Sequence, residues 1–213
     1  MKRLGPWLTL AAVAVLGIVL LVVNMSEETE PAVAKSNTPV VTTSAVAPTT
    51  TAPAQFPAKA DYVGHIPLVS GAPLALSITV AGDKAIAYVC DGKAVESWLR
   101  GGAGTGALQL TGKNDARLDG RFDGKVVTGT LWLGPKQWDF TAAPVQSPAG
   151  LYVYNAGGVR QSWIVDANGN VTGVQRGTDG ATSPAPALAP DATAIVNGKK
   201  ITANKVSGGD SVG

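Results

Sequence analysis

Short runs of alternating apolar and polar residues, separated by turns that contain glycine, dominate the chain from about Asp61 to Arg176. Alternation at every second residue is typical of β-strands, whose side chains point to opposite faces in turn. The pattern predicts strands over 61–66, 73–81, 84–91, 94–100, 106–113, 116–122, 125–133, 136–143, 149–155, 159–166 and 170–176.

The connections between these runs favour tight hairpins. Asp91-Gly92, Asp123-Gly124 and Asn168-Gly169 stand between apolar runs, and such pairs tolerate the positive φ angles that hairpin turns need. No long helical pattern is present to connect parallel strands. We therefore expect an all-β domain, an antiparallel meander that closes as a small barrel or folds as a sandwich.

One predicted strand, 116–122, shows how the faces are used. Its apolar and small residues alternate with Arg117, Asp119 and Arg121. This pattern predicts a half-buried strand with its charged side chains in water.

Two segments of the chain echo each other. Tyr88 is followed through a glycine turn by Trp98, and Tyr152 is followed in the same way by Trp163. Each tryptophan directly follows a similar dipeptide, Glu96-Ser97 before Trp98 and Gln161-Ser162 before Trp163. The echo indicates two related hairpins, either a degenerate duplication that forms two halves of a barrel or sandwich, or a chance resemblance.

The N-terminal segment carries a different pattern. From Trp7 to Val23 the chain is uncharged and apolar except for Thr9, at the short end of the length that spans a bilayer as a helix. Lys2 and Arg3 precede it and acidic residues follow, which places the N-terminus in the cytoplasm. We expect residues 1–25 to form a cytoplasmic stub and a transmembrane helix. The alternative is a signal cleaved near Ala32-Val33-Ala34, which would give a secreted protein.

The remaining segments complete the domain organisation. Residues 26–59 are rich in Pro, Thr and Ala and predict a disordered linker, followed by the β domain over 60–177. Residues 178–213 form a loose tail with a hairpin over 194–202 that turns at Asn197-Gly198. The pattern leaves open whether this hairpin docks on the domain or adds an edge pair.

Several stretches resemble a known group of proteins. The stretches are Ala87-Tyr88-Val89-Cys90-Asp91-Gly92-Lys93, Glu96-Ser97-Trp98-Leu99, Val127-Thr128-Gly129-Thr130, Phe140-Thr141-Ala142-Ala143-Pro144 and Gly150-Leu151-Tyr152. Over residues 60–176 the chain resembles uncharacterised exported or membrane-anchored β-rich proteins of actinobacteria, of the mycobacterial and nocardial type. The resemblance implies an envelope location. It implies no catalytic residues, because that group has no established activity.

Composition excludes several function classes. The net charge of +2 gives no electrostatic basis for binding nucleic acid. His65 is the sole histidine and Cys90 the sole cysteine, so we expect no cofactor, no metal site and no disulfide within the chain. Cys90 is interpreted as a free thiol buried in a strand. No catalytic constellation is present, which favours a protein that is not an enzyme.

Acidic residues offer two weaker motifs. Residues 166–170 begin like a calcium loop, but Val171 and Gly177 stand where glycine and glutamate are required, so a hairpin turn is the better interpretation. Asp115, Asp119 and Asp123 recur every four residues. We interpret them as solvated carboxylates, while paired carboxylates in a cleft would indicate a glycosidase.

The tryptophans are the most informative side chains. Trp98 shares a predicted strand face with Glu96 and Arg100, and Trp132 shares one with threonines. Large aromatic rings on a polar face form binding platforms for sugars or peptides. These four residues are the candidate binding surface, with packing of the tryptophans in the core as the alternative.

These observations predict a single-pass, membrane-anchored extracytoplasmic β domain that is a non-enzymatic binding or interaction module of the cell envelope. Its partners would be the membrane, through residues 7–23, and either another envelope protein or a cell-wall glycan. The alternatives are an envelope hydrolase or transferase that uses carboxylates, and a structural accessory subunit.

The topology can be tested in intact cells. Protease added outside the cells should remove the β domain and leave the cytoplasmic stub, because the basic flank keeps the N-terminus inside. An epitope tag at each terminus reports the two parts by immunoblotting. Recovery of an uncleaved chain in the cytosol would contradict the prediction.

Overall fold

The computed structural model describes residues 53–212, and within them every regular element is a β-strand. The predicted transmembrane segment 7–23 and linker residues 26–52 lie outside the described residues. No helix in the described part is long and apolar enough to cross a membrane.

The strands are β1 (Lys59–Ile66), β2 (Leu74–Ala81), β3 (Lys84–Cys90), β4 (Glu96–Gly102), β5 (Ala107–Gly112), β6 (Arg117–Phe122), β7 (Val127–Leu133), β8 (Lys136–Val145), β9 (Gly150–Ala156), β10 (Val159–Val165), β11 (Val171–Arg176), β12 (Thr182–Pro184), β13 (Thr193–Val196), β14 (Lys199–Thr202) and β15 (Asn204–Lys205).

The first eight strands form a closed barrel in which each strand pairs with the next in antiparallel fashion. Closure comes from β1 and β8, where Asp61–Val63 pair with Ala143–Val145. The prediction of an all-β antiparallel meander is confirmed. For these strands the structure resolves the choice between barrel and sandwich in favour of the barrel.

Apolar side chains fill the interior of the barrel. Successive strands contribute every second residue to this core, as strand geometry requires. The core consists of Tyr62, Ile66, Leu74, Leu76, Ile78, Val80, Ala85, Ala87, Val89, Leu99, Ala103, Leu108, Leu110, Ala116, Leu118, Val127, Leu131, Phe140 and Ala142. The interior is therefore packed, and it is no channel.

A second sheet covers one side of the barrel. It has five strands in the order β12-β11-β10-β9-β15. Its inner face packs against the outward side chains of β1–β3 in a second core, which consists of Val63, Ala75, Ile86, Tyr88, Cys90, Leu151, Val153, Ile164, Val174 and Val206. As a result, β2 and β3 are buried on both faces.

The C-terminal tail forms a third layer. The hairpin of β13 and β14 lies over the outer face of the second sheet and buries Trp163, whose Nε1 donates a hydrogen bond to the carbonyl of Pro186 at 2.8 Å. β12 and β15 extend the two edges of that sheet. The tail therefore does both: its hairpin docks on the second sheet, and its strands β12 and β15 pair with the edges of that sheet. It differs from the loose segment that its Pro- and Ala-rich composition predicts, because most of its apolar side chains, among them Leu188, Val196 and Ile201, pack against the sheet.

The last residues of the predicted linker also belong to the packed structure. Phe56 stacks on Phe122 with ring centroids 5.0 Å apart and meets Tyr62 edge-on. Phe56 therefore packs this segment against the barrel core, and the carbonyl of Ala58 accepts a hydrogen bond from the N–H of Gly82 at 2.8 Å.

The two echoing hairpins adopt equivalent pairings. Tyr88 lies directly opposite Trp98 across β3 and β4, and Tyr152 lies directly opposite Trp163 across β9 and β10. The first hairpin belongs to the barrel and the second to the covering sheet. The hairpins are therefore not two halves of one barrel; they lie in two sheets that pack on a common core, and a duplication of the hairpin stays a hypothesis.

A glycine determines how closely β6 and β7 approach. Gly129 pairs with Gly120, and a Cβ at Gly129 would collide with the backbone oxygen of Asp119. A side chain here would force the two strands apart and disturb the barrel.

Gly129→Ala should therefore lower the free energy of unfolding by about 1–3 kcal/mol, because a methyl group does not fit between the strands. The matched control is Gly104→Ala in the β4–β5 loop, where an added Cβ meets nothing within 4 Å. Its effect should stay within about 0.5 kcal/mol. Urea denaturation measures both variants, and equal stabilities would contradict the predicted clash.

Candidate functional site

Within the described residues, the second sheet leaves one part of the barrel wall uncovered, which is the outer surface of β4–β8. Its outward side chains are polar and mostly exposed. Strand register aligns them in rows. We call this surface the polar face, and it consists of Arg100, Gln109, Thr111, Arg117, Asp119, Arg121, Thr128, Thr130, Trp132, Gln137, Asp139 and Thr141.

Trp132 lies in the row Arg100–Thr111–Arg117–Trp132–Gln137. The guanidinium of Arg117 lies over the indole ring, 4.0 Å from its centroid. Trp132 Nε1 donates a hydrogen bond to Gln137 Oε1 at 2.9 Å. The indole is therefore held in one orientation by its two cross-strand neighbours.

The next row is Gln109–Asp119–Thr130–Asp139. Thr130 Oγ1 donates to Asp139 Oδ1 at 2.8 Å, and Arg117 Nη2 lies 3.2 Å from Asp119 Oδ2. The first contact lies within the row and the second joins the two rows, so together they fix the directions of several donors and acceptors.

A shallow cleft of about 410 Å³ crosses this surface over β5, β6 and β7. It lies where the strands pair through Gly120 and Gly129. Its rim carries amide, carboxylate, guanidinium and hydroxyl groups, from Gln109, Asp119, Arg121, Thr128 and Thr130. The rim can donate and accept hydrogen bonds on all sides.

Glu96 and Trp98 occupy a different environment. The Glu96 side chain is only 2% exposed, and it accepts hydrogen bonds from Tyr88 at 3.2 Å and from Arg160 at 2.8 Å. Trp98 is half-buried and packs on Tyr88, with ring centroids 4.6 Å apart. Both residues lie in the layer between the barrel and the second sheet.

The structure thus separates the four residues of the predicted binding surface. Trp132 and Arg100 lie on the polar face, in the same row. Glu96 and Trp98 do share their strand face with Arg100, but the second sheet covers that end of β4. β5 and β6 lie between Trp98 and Trp132.

Sequence reasoning missed Arg117 and Gln137 as neighbours of Trp132, and it missed Arg160 as the partner of Glu96. The hairpin turn between β7 and β8, at Gly134-Pro135, carries the signal for the Gln137 contact, because a short loop determines register. Nothing local signals the contact of Glu96 with Arg160, which is 64 residues away.

Cys90 is buried, which confirms the interpretation as a free thiol in a strand. Burial raises the pKa of this thiol to about 12. Its Sγ lies 3.9 Å from the carbonyl oxygen of Thr172 in the second sheet. The thiol is therefore protonated at neutral pH and is a poor nucleophile.

His65 and Asp166 come within 3.9 Å of each other. Burial acts to raise the pKa of Asp166, but hydrogen bonds from Asn170 and Asn168 outweigh it and leave the pKa below its usual value. The Asp166 carboxylate is thus used to close the β10–β11 turn, which confirms the turn interpretation of this segment. Residues 53–212 contain no group of His, Cys, Asp and Glu suited to a metal ion.

Known proteins give no further guide to the site, because no protein-family model, curated protein or solved structure matches this chain. The fold class is a closed eight-stranded antiparallel barrel with a second sheet packed against it. The resemblance to actinobacterial envelope proteins stays a prediction.

The burial of Cys90 predicts a pH dependence of stability. From its ordinary pKa of 9.0 up to about 12, the unfolded chain loses a proton that the native state keeps. Stability should therefore fall as pH rises from about 9 to about 12, and more steeply than in Cys90→Ala. Urea denaturation of both proteins along this pH range measures the difference in slope. Parallel slopes would show that the thiol is not protected as described.

Proposed function

We propose that this chain is a non-enzymatic binding module of the cell envelope, and that its polar face binds a cell-wall glycan. One observation carries the proposal: strand register aligns polar side chains in neighbouring rows, of which one holds Trp132 and the next borders an open cleft.

Glycans present many hydroxyl groups and few charges. Side chains that both donate and accept hydrogen bonds, held in fixed directions, suit such a ligand. Within each row, side chains on neighbouring strands lie about 4.8 Å apart, which is close to the length of one sugar ring. A glycan chain that crosses the strands could therefore contact a similar set of groups at each sugar.

Trp132 supplies the apolar part of this surface. Sugar rings have apolar faces that pack against aromatic side chains. Arg117 already lies over one face of the indole. The ligand would therefore contact the rest of the indole and the exposed edge of the guanidinium.

A docking surface for another protein is less well supported. Such surfaces usually present a contiguous apolar patch. The large hydrophobic residues most exposed in residues 53–212 are Val69, Val95, Val171 and Ile195, and none of them belongs to the polar face. A structural accessory subunit would need the same kind of patch.

A carboxylate-based hydrolase has one observation in its favour. Asp119 and Asp139 flank Thr130 in one row, so their Cα atoms are separated by two strand spacings, about 10 Å. An enzyme of this type needs one protonated carboxyl group and one ionised one. Asp119 is paired with Arg117 and Asp139 accepts a hydrogen bond from Thr130, so both carboxylates are already engaged in contacts along the barrel wall. Binding without hydrolysis is therefore the better-supported function.

The proposed location follows from the sequence alone. An anchor at residues 7–23 and a Pro- and Thr-rich linker would place the barrel at a distance from the bilayer, within reach of the wall.

Co-sedimentation of the full chain with purified insoluble cell wall tests the binding. The wild type should pellet with the wall, and Trp132→Ala and Asp119→Asn should each weaken the interaction by about tenfold, because each removes a contact to the ligand worth about 1–2 kcal/mol.

The matched control is Lys199→Ala, which changes an exposed residue in the third layer. Its binding should equal that of the wild type. Release of soluble reducing sugar by the wild type, and not by Asp119→Asn, would favour the hydrolase. Equal sedimentation of all variants would rule out the polar face as the binding surface.

A further inference from the structure

A buried carboxylate lies outside the polar face, where β4 meets the second sheet. Glu96 Oε1 is 2.8 Å from Arg160 Nη2 and 3.2 Å from Arg176 Nη1. Two guanidinium groups thus share one carboxylate, and this group of three carries one excess positive charge.

The two arginines differ in what holds them. The Arg160 side chain is 19% exposed and its guanidinium lies 5.2 Å from the centre of the Trp98 ring. Its Nε is buried and has no hydrogen-bond partner. The Arg176 side chain is 45% exposed and makes its contact with Glu96 through Nη1. Arg176 therefore keeps donors available to a further ligand, while Arg160 is largely fixed.

Both arginines line a cleft of about 290 Å³ in the second sheet. The β9–β10 turn and the β11–β12 turn form its walls, through Gly158, Gly177 and Gly180. The carboxylate of Asp179, in the second of these turns, already accepts the N–H of Ala181 at 2.9 Å. The two arginines therefore make one end of the cleft positively charged. The glycines have no side chains, so the cleft between the turns stays open.

We propose that this cleft binds an oxyanion, a carboxylate or a phosphate group, through Arg176 and Arg160. The planar guanidinium matches the two oxygens of such a group. Glu96 holds Arg160 in place and takes part of the cationic charge, so it both positions the site and competes with the ligand.

This dual role of Glu96 distinguishes the proposal from a purely structural ion pair. If the cluster served stability alone, loss of Glu96 would weaken the fold and have no effect on anion affinity. If the cleft binds anions, loss of the Glu96 charge frees two guanidinium groups and raises the affinity.

Titration of the full chain with inorganic phosphate and, separately, with acetate tests the proposal, with the shifts of arginine side-chain resonances as the readout. At least one anion should shift the Arg176 signal. Arg176→Gln should weaken this binding about tenfold or more, since a charge-assisted hydrogen bond is lost. Glu96→Gln should bind several-fold more tightly.

The control is Lys136→Gln, which removes an exposed positive charge at the start of β8, outside both proposed sites, and should bind like the wild type. A response to phosphate alone would assign the site to phosphate groups, and a response to acetate alone would assign it to carboxylates. Thermal denaturation shows that each variant is folded, and Arg176→Gln keeps the test valid should Glu96→Gln fail to fold. Absence of any saturable shift in the millimolar range, or equal affinities of Arg176→Gln and Lys136→Gln, would overturn the proposal.

Discussion

The burial of β2 and β3 on both faces is the constraint on which the rest of the structure depends. Their inward side chains fill the barrel, and their outward side chains form the floor of the second core. A fully buried aliphatic side chain contributes about 1.5–3 kcal/mol, so two strands that bury both faces bind the layers together. Without the second sheet, Ile86 and Tyr88 would leave an apolar patch on the barrel wall.

This asymmetry also determines where the protein can bind a ligand. One side of the barrel wall packs against the second sheet, and the other side presents mainly polar side chains to solvent. Trp132 stands among them because Arg117 and Gln137 hold it. The Glu96 cluster marks the boundary between the two sides, where a charge is buried and two arginines from the second sheet neutralise it.

Local chemistry made much of the fold predictable. Asp-Gly and Asn-Gly turns and two-residue alternation indicate the hairpins of the meander, and charged residues on one face of 116–122 indicate an exposed wall. The strand 84–91 carried a further signal, because both of its faces are apolar, which indicates a strand covered on each side. The covering sheet itself, the docked tail and the pairing of Glu96 with Arg160 depend on contacts between distant residues. Neither periodicity nor turn chemistry reports such contacts.

Hydrogen–deuterium exchange of the backbone amides tests the layered arrangement most directly. Strands buried on both faces should open only with the whole domain, so the amides of β2 and β3 should exchange most slowly. Those of β5 and β6, which face water on one side, should exchange faster by local opening. Protection in β5 and β6 equal to or greater than that in β2 and β3 would contradict the account.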